Sequence, residues 1–338
     1  MGRHVGKDVG EAGSDPLPTI RVGDVEETAE ASSRWLVEGL WSERAVGVLG
    51  GPPKSAKTWL AVDLALSVAS GTKALDRYEV RERGPVVYFG AEDSKPLLKE
   101  RFEALASRRG QELKSLEVNL LDVQVLRLDL EKDQERLSRT VRALRPRMLV
   151  LDPLVRMHRL DENSASEISA LLSYLRGLER EYAVGILLVH HTRKDVGSLI
   201  QPGQGLRGSS DIHAWGDSNL YLRRSRDGLL LSIEHRSAPS PDALVLQLIP
   251  EPKPHLEVKT GVQATGEEPR QSDGRDSFFE EVLGLLEVSS TPLRVEELRS
   301  RLRVRKQRVI EVLRELTRSE QIERSGDGFV CRRPLAPA

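Results

Sequence analysis

Gly51 opens and Lys57 and Thr58 close a short segment of the stretch GGPPKSAKTW, residues 50–59. A glycine, four residues, a small residue, a lysine and then a hydroxyl side chain is the spacing of a phosphate-binding loop. The chemistry needs that order. Backbone N–H groups converge on phosphate oxygens at a helix N-terminus, the lysine reaches the β- and γ-phosphates, and the hydroxyl meets Mg²⁺. Gly51, Pro52, Pro53, Lys54, Ser55, Ala56, Lys57 and Thr58 are therefore the expected ATP-binding segment. Ala56 stands where such loops carry a second glycine. A strained backbone position with a Cβ costs about 1–3 kcal/mol, enough to slow turnover or weaken binding without abolishing either.

Further candidate groups sit at the ends of apolar runs. Asp152 ends MLVLD, the position that orients the magnesium shell, so Thr58 and Asp152 are the expected metal-site residues. Glu92 and Asp93 follow VVYFG, where a carboxylate can take a proton from an attacking water. His190 and His191 end GILLVHH and are placed to sense a γ-phosphate. One acid after a strand is usually a helix cap. Lys/Thr, Glu, Asp and His at four strand ends together point to an ATP site, because ligands of open α/β sheets collect at strand C-termini.

The elements that must hold these groups are visible in the same runs. AVGVLG (45–50), PVVYFG (85–90), MLVLD (148–152) and GILLVH (185–190) read as strands, with a weaker VQVLRL (123–128). Amphipathic helices such as 57–70 and 167–182 lie between them. Alternating strands and helices with continuous β-branched runs predict a parallel sheet covered on both faces. SNLYLRRS, LLLSIEHRS and ALVLQLI (218–249) predict an antiparallel extension of that sheet. WLVEGLW (35–41) reads as helical. Residues 1–32, rich in Gly, Asp, Glu and Ser, read as a mobile arm, and 33–250 as the ATPase domain. The stretch 251–276 has linker composition, and 277–333 carries helix, helix, helix and a hairpin with Asp327-Gly328 at its tip. That is the winged helix-turn-helix plan.

Composition narrows the class. A chain of 338 residues predicts two domains. A net charge of −1 leaves any attraction to nucleic acid to local patches. The one cysteine, Cys331, excludes an intrachain disulfide framework and a Cys-rich zinc site, and fits a reducing cytoplasmic setting. No apolar run approaches a membrane span, so no membrane partner is expected.

Residues 35 to about 250 resemble the RecA-like ATPase core, most closely the plasmid RepA-type subgroup of hexameric replicative helicases. The resemblance is carried by WLVEGLWSERAVGVLGGPPKSAKTWLA, VVYFGAEDSKPLLKERFEAL, MLVLDPLVRMHRLDENSASEI, ILLVHHTRK and GLRGSSDIHAWGDSNLYLRR. It implies a homo-oligomeric, hexameric ring that hydrolyses ATP. In it Glu92 matches the catalytic glutamate, Asp152 the magnesium-orienting aspartate and His191 the histidine that ends the fourth core strand. LRGSS (206–210) falls where related helicases place a DNA-contacting loop. Arg236 falls near the position from which such rings reach into a neighbour's site. There the usual Lys-x-Arg is replaced by Glu234-His235-Arg236.

Two segments are candidates for DNA. The long polar loop 194–210 offers Lys194, Arg207, Ser209 and backbone N–H groups to a single strand, and without an aromatic residue it favours backbone contact over stacking. Arg303, Arg305, Lys306 and Arg308 cluster at the start of a helix whose apolar face is Val304, Val309, Val312, Leu313 and Leu316. In helix-turn-helix readers that end enters the major groove of duplex DNA; the same modules also dock proteins. Three functions follow. The first is an ATP-driven, helicase-type ring motor in replication or mobile-element maintenance. The second is an ATP-switched DNA-binding regulator or loader, and the third a recombinase-type pairing protein.

Overall fold

The computed structural model describes residues 19–24, 35–162, 164–192, 210–259, 276–289, 291–302, 306–318 and 321–331. Most of the N-terminal arm, and Lys194, Arg207, Ser209, Arg303 and Arg305, lie outside the described residues, as do the side chains of Lys306 and Arg308. Two compact units are present, a large one built on a sheet and a small C-terminal one.

WLVEGLW is not helical. It forms a hairpin of β1 (Trp35–Val37) and β2 (Trp41–Ser42). Gly39 takes a φ of +71° in the turn, and Leu36, Val37, Leu40 and Trp41 are all buried. Five apolar residues in seven satisfy a helical period on paper, but the left-handed glycine reverses the chain first.

β3 (Val46–Gly51), β4 (Val86–Gly90), β6 (Met148–Asp152) and β7 (Gly185–His191) are parallel and nearly all buried. They lie inside a nine-stranded sheet of order β11-β10-β9-β8-β3-β7-β6-β4-β5. β8 (Ser218–Ser225) runs parallel to β3. β9 (Gly228–His235), β10 (Leu244–Ile249) and β11 (His255–Val258) complete one edge, with antiparallel pairing from β9 outward. The fold is α/β, a mostly parallel sheet with an antiparallel extension.

Two expectations fail at the sheet's edges. VQVLRL (123–128) is not a strand; the edge strand is the shorter β5 (Val118–Leu120). The Leu128 N–H goes to Met157 O, and Val125 points outward at 60% exposure. The stretch 251–276 is not all connector, because β11 lies in it with His255 and Leu256 buried.

Helices cover both faces. α1 (Lys57–Ser70) and α2 (Lys95–Arg108) pack over Leu49, Val86, Tyr88, Met148, Val150, Leu187 and Val189. α3 (Glu131–Leu144) and α4 (Ala165–Tyr182) pack over Val46, Val48, Val87, Leu149, Leu151, Ile186 and Leu188. This strict alternation decides which strand-end residues face α1. α5 (Ser210–Trp215) precedes β8.

The C-terminal unit holds α6 (Asp276–Val288), α7 (Val295–Leu302), α8 (Lys306–Arg318) and a hairpin of β12 (Ile322–Ser325) and β13 (Gly328–Cys331). Leu293 bridges Phe329, which adds a third short strand position to the hairpin. Val282, Leu286, Leu298, Val309, Leu313 and Ile322 make its core. Among the described residues no helix is long and apolar enough to cross a membrane.

Candidate nucleotide site

β3 ends at Gly51 and α1 begins at Lys57, so the expected phosphate loop is a strand-to-helix turn. Gly51 is sterically required: a Cβ there would lie 2.3 Å from Leu222 O. Lys54 and Ala56 both adopt left-handed backbone, with φ of +61° and +62°. Ala56 is therefore a residue with a Cβ at a position that favours glycine. It is also the N-cap of α1 and offers no side-chain cap, so the first-turn N–H groups of α1 have the geometry of an anion site. Ser55 Oγ donates to Pro52 O at 2.8 Å, which tightens the turn.

Lys57 is 5% exposed, and its ammonium donates to Gly51 O at 2.9 Å and Pro52 O at 2.7 Å. Burial pulls its pKa down to about 8, against the opposing pull of the Asp152 and Glu92 charges. The lysine thus sits inside the curve of the loop with two carboxylates near enough to feel it.

Asp152 is 7% exposed and faces the α1 side of the sheet, two residues beyond Val150 on the same face. Burial raises its pKa, and hydrogen bonds from Thr58 and Tyr88 oppose the rise. The Tyr88 hydroxyl donates to Asp152 Oδ2 at 2.9 Å. A buried carboxylate next to a threonine hydroxyl is a hard-oxygen pair that suits a magnesium ion, which binds few protein ligands and keeps waters and phosphate oxygens for the rest. Among the described residues no group of three or more His, Cys, Asp or Glu could hold a metal ion.

Glu92 lies in the bend after β4, and its Oε1 accepts from Arg156 Nε at 2.8 Å. Neighbouring Asp93 pairs instead with Arg101, whose guanidinium lies over the Trp59 ring at 5.5 Å. Asp93 is thereby tied to α2, with its charge still reaching Asp152, and Glu92 is the acid of the pair whose charge acts on Lys57. Parity separates the two histidines. His191 follows Val189 on the α1 face, and its pKa is lowered by burial and by the Lys57 charge. His190 points to the opposite face, buried with its Nδ1 3.9 Å from Glu162 Oε1. The structure therefore gathers Lys57, Thr58, Asp152, Glu92 and His191 at one end of one sheet face.

Residues 14–197 match the AAA domain family AAA_25, and this match covers more than half of the chain. The chain belongs to that family. It is a P-loop ATPase domain, for which ATP is the nucleotide and Mg²⁺ its usual ion. Among solved structures, the RadB recombinase is 18% identical, over 64% of this chain and 90% of that one, with a TM-score of 0.47. A structure described as an ATPase domain is 16% identical, over 61% of this chain and 82% of that one, with a TM-score of 0.46.

Arg236 is elsewhere. Its N–H bonds Asp217 O at 2.9 Å, and the Asp217 N–H bonds Val46 O at 2.7 Å, so it lies beside the first residue of β3. The loop follows the last residue of β3, roughly 17 Å away for a strand of that length. Its guanidinium contacts Ala214 O and lies 3.4 Å from Asp217 Oδ1. Glu234, at the expected lysine position, pairs with His213 at 2.8 Å. Tyr88 and Arg156 were not singled out by sequence. Tyr88 could have been found by strand parity, since it lies one row below Asp152 on the same face. Arg156 carries no sequence signal, because only the turn Leu154–Arg156 brings it back over β4.

Proposed function

We propose that this P-loop ATPase is a DNA-dependent motor of the ring-forming helicase type, acting in replication or mobile-element maintenance in a cytoplasmic setting. The observation that carries the reading is the hydrolytic set: Glu92 at the site together with Lys57, Thr58, Asp152 and His191 on one face. A switch needs only the phosphate and ion groups, whereas Glu92 adds a proton acceptor for water. Arg236 supports a ring, because it is too far from its own loop to act there and is half exposed at the opposite sheet end.

In this reading Lys57 and the first-turn N–H groups of α1 bind the β- and γ-phosphates. Thr58 and Asp152 would hold Mg²⁺, which would neutralise phosphate charge. Glu92 accepts a proton from water as the water oxygen bonds to the γ-phosphorus. The bond from that phosphorus to the β,γ-bridging oxygen breaks, leaving ADP and phosphate. His191 reads the γ-phosphate and passes its loss to the loop carrying Lys194, Arg207 and Ser209, which meets a single strand. The C-terminal unit follows a winged helix-turn-helix plan, and Arg303, Arg305, Lys306 and Arg308 at the start of α8 meet duplex DNA.

The second reading is an ATP-switched regulator or loader. It is favoured by Ala56, which places a Cβ at a left-handed position where the phosphate-loop pattern has glycine. Steady-state ATP hydrolysis with Mg²⁺, alone and with single- or double-stranded DNA, separates the two, with Lys57→Ala as the blank. Stimulation by single strands is expected. Hydrolysis at the level of the blank in all three conditions, with ATP still bound, sinks the motor and leaves the regulator.

A further inference from the structure

Glu92 is poorly held by its own surroundings. It lies in a bend, its side chain is 44% exposed, and a glutamate has three rotatable bonds to fix. A proton acceptor must nevertheless stay within hydrogen-bond reach of one water. Arg156 supplies the missing restraint. It belongs to the 3₁₀ turn Leu154–Arg156, directly after Asp152 and Pro153, on the strand beside β4.

That turn is firmly seated. Arg156 N–H bonds Pro153 O at 3.1 Å and Met157 N–H bonds Leu154 O at 2.8 Å. Leu154 and Met157 are both fully buried. The Arg156 side chain, at 62% exposure, reaches from this fixed base across the mouth of the site. Its Nε meets Glu92 Oε1 at 2.8 Å. A carboxylate has lone pairs for about four hydrogen bonds, so this contact leaves Oε2 for a water. The Glu92 charge lies near enough to act on both Lys57 and His191.

An ion pair this exposed contributes little to stability. We infer that Arg156 is a positioning residue, which holds the Glu92 carboxylate over the phosphate site with one oxygen free for the attacking water. The inference rests on the reading of Glu92 as the group that takes the water's proton.

The test uses the full chain and three measurements: steady-state ATP hydrolysis with Mg²⁺, equilibrium binding of a fluorescent ATP analogue, and Tm. Glu92→Gln should lower kcat by about a hundredfold or more. Arg156→Gln should lower kcat about tenfold, a misplacement effect, with analogue Kd and Tm unmoved. Arg156→Lys should recover most of the loss, and Glu92→Gln with Arg156→Gln should be no slower than Glu92→Gln alone. Arg156→Gln at or above the wild-type kcat overturns the inference. So does a loss seen in Kd or Tm instead of kcat, or a double variant slower than Glu92→Gln by the full factor. Glu92→Gln turning over at the wild-type rate overturns the reading of Glu92 itself, and the inference with it.

Discussion

The Tyr88 hydroxyl donates to Asp152 Oδ2 at 2.9 Å, joining two buried side chains on adjacent strands β4 and β6. Asp152 is a carboxylate that burial disfavours in its charged form, and Tyr88 and Thr58 are the two hydroxyls that oppose this. Removing a hydrogen bond to a buried charged group costs about 1.5–3 kcal/mol. Tyr88→Phe should therefore raise the Mg²⁺ concentration for half-maximal nucleotide binding by about tenfold. A Mg²⁺ titration of bound fluorescent nucleotide reads this directly, and an unchanged midpoint would show that Tyr88 only fills space.

Ala56 gives a prediction of unusual sign. Ala→Gly at a helix start ordinarily costs stability through backbone entropy. Here φ is +62°, a region where L-residues pay about 1–2 kcal/mol relative to their right-handed state. Ala56→Gly should raise stability, or leave it unchanged, and should not weaken ATP binding. A clear drop in the denaturant midpoint would refute the strain argument.

Lys57 makes nucleotide affinity sensitive to alkali. Its pKa falls from 10.5 to about 8 in the folded chain. Between these values the unfolded chain holds a proton that the folded chain has lost. This lysine's contribution to the unfolding free energy therefore increases with pH across that window, and below about 8 its buried charge weighs against the fold. Phosphates favour the ammonium form, so binding above pH 8 must take up a proton. ATP Kd should rise from pH 8 to 9.5 by up to about tenfold per unit. Isothermal titration in buffers of different ionisation enthalpy would detect that proton, and a flat Kd, as expected for Lys57→Ala, would contradict it.

Arg109 and Asp63 form a buried pair, at 4% and 2% side-chain exposure, between the end of α2 and the middle of α1. Asp63 also accepts from Leu75 N–H at 2.8 Å, and Arg109 donates to Ser67 Oγ at 2.7 Å. Arg109→Ala leaves a buried carboxylate without its cation and should cost about 3–5 kcal/mol. Chemical denaturation followed by far-UV circular dichroism measures the loss, and one below 1 kcal/mol would mean that water replaces the guanidinium.

If Arg236 serves a neighbouring copy, Arg236→Ala and Lys57→Ala chains should each be inactive alone and recover ATP hydrolysis when mixed. Absence of recovery at concentrations where the wild type assembles would count against action in trans.

The central strands were legible because burial on both faces leaves an unbroken apolar run. The groups at their ends were legible because chemistry restricts which residues can follow. What escaped were features set by geometry rather than composition. VQVLRL alternates like a strand, yet its Leu128 N–H bonds a turn carbonyl on the far side of Asp152. WLVEGLW has a helical count of apolar residues, but a single left-handed glycine decides otherwise. Tyr88 reads as an ordinary strand aromatic until the register puts it under Asp152, and nothing in LVRM announces that Arg156 turns back to Glu92.

The clasp of Lys57 on Gly51 O and Pro52 O has a consequence for kinetics. A loop whose curvature is fixed by its own lysine surrenders its conformational freedom when the chain folds, not when a ligand arrives. Nucleotide then meets a finished receptor, and association should be limited by encounter rather than by loop ordering. The two carbonyls that give up the ammonium to an arriving phosphate take it back as that phosphate leaves, so the clasp favours release.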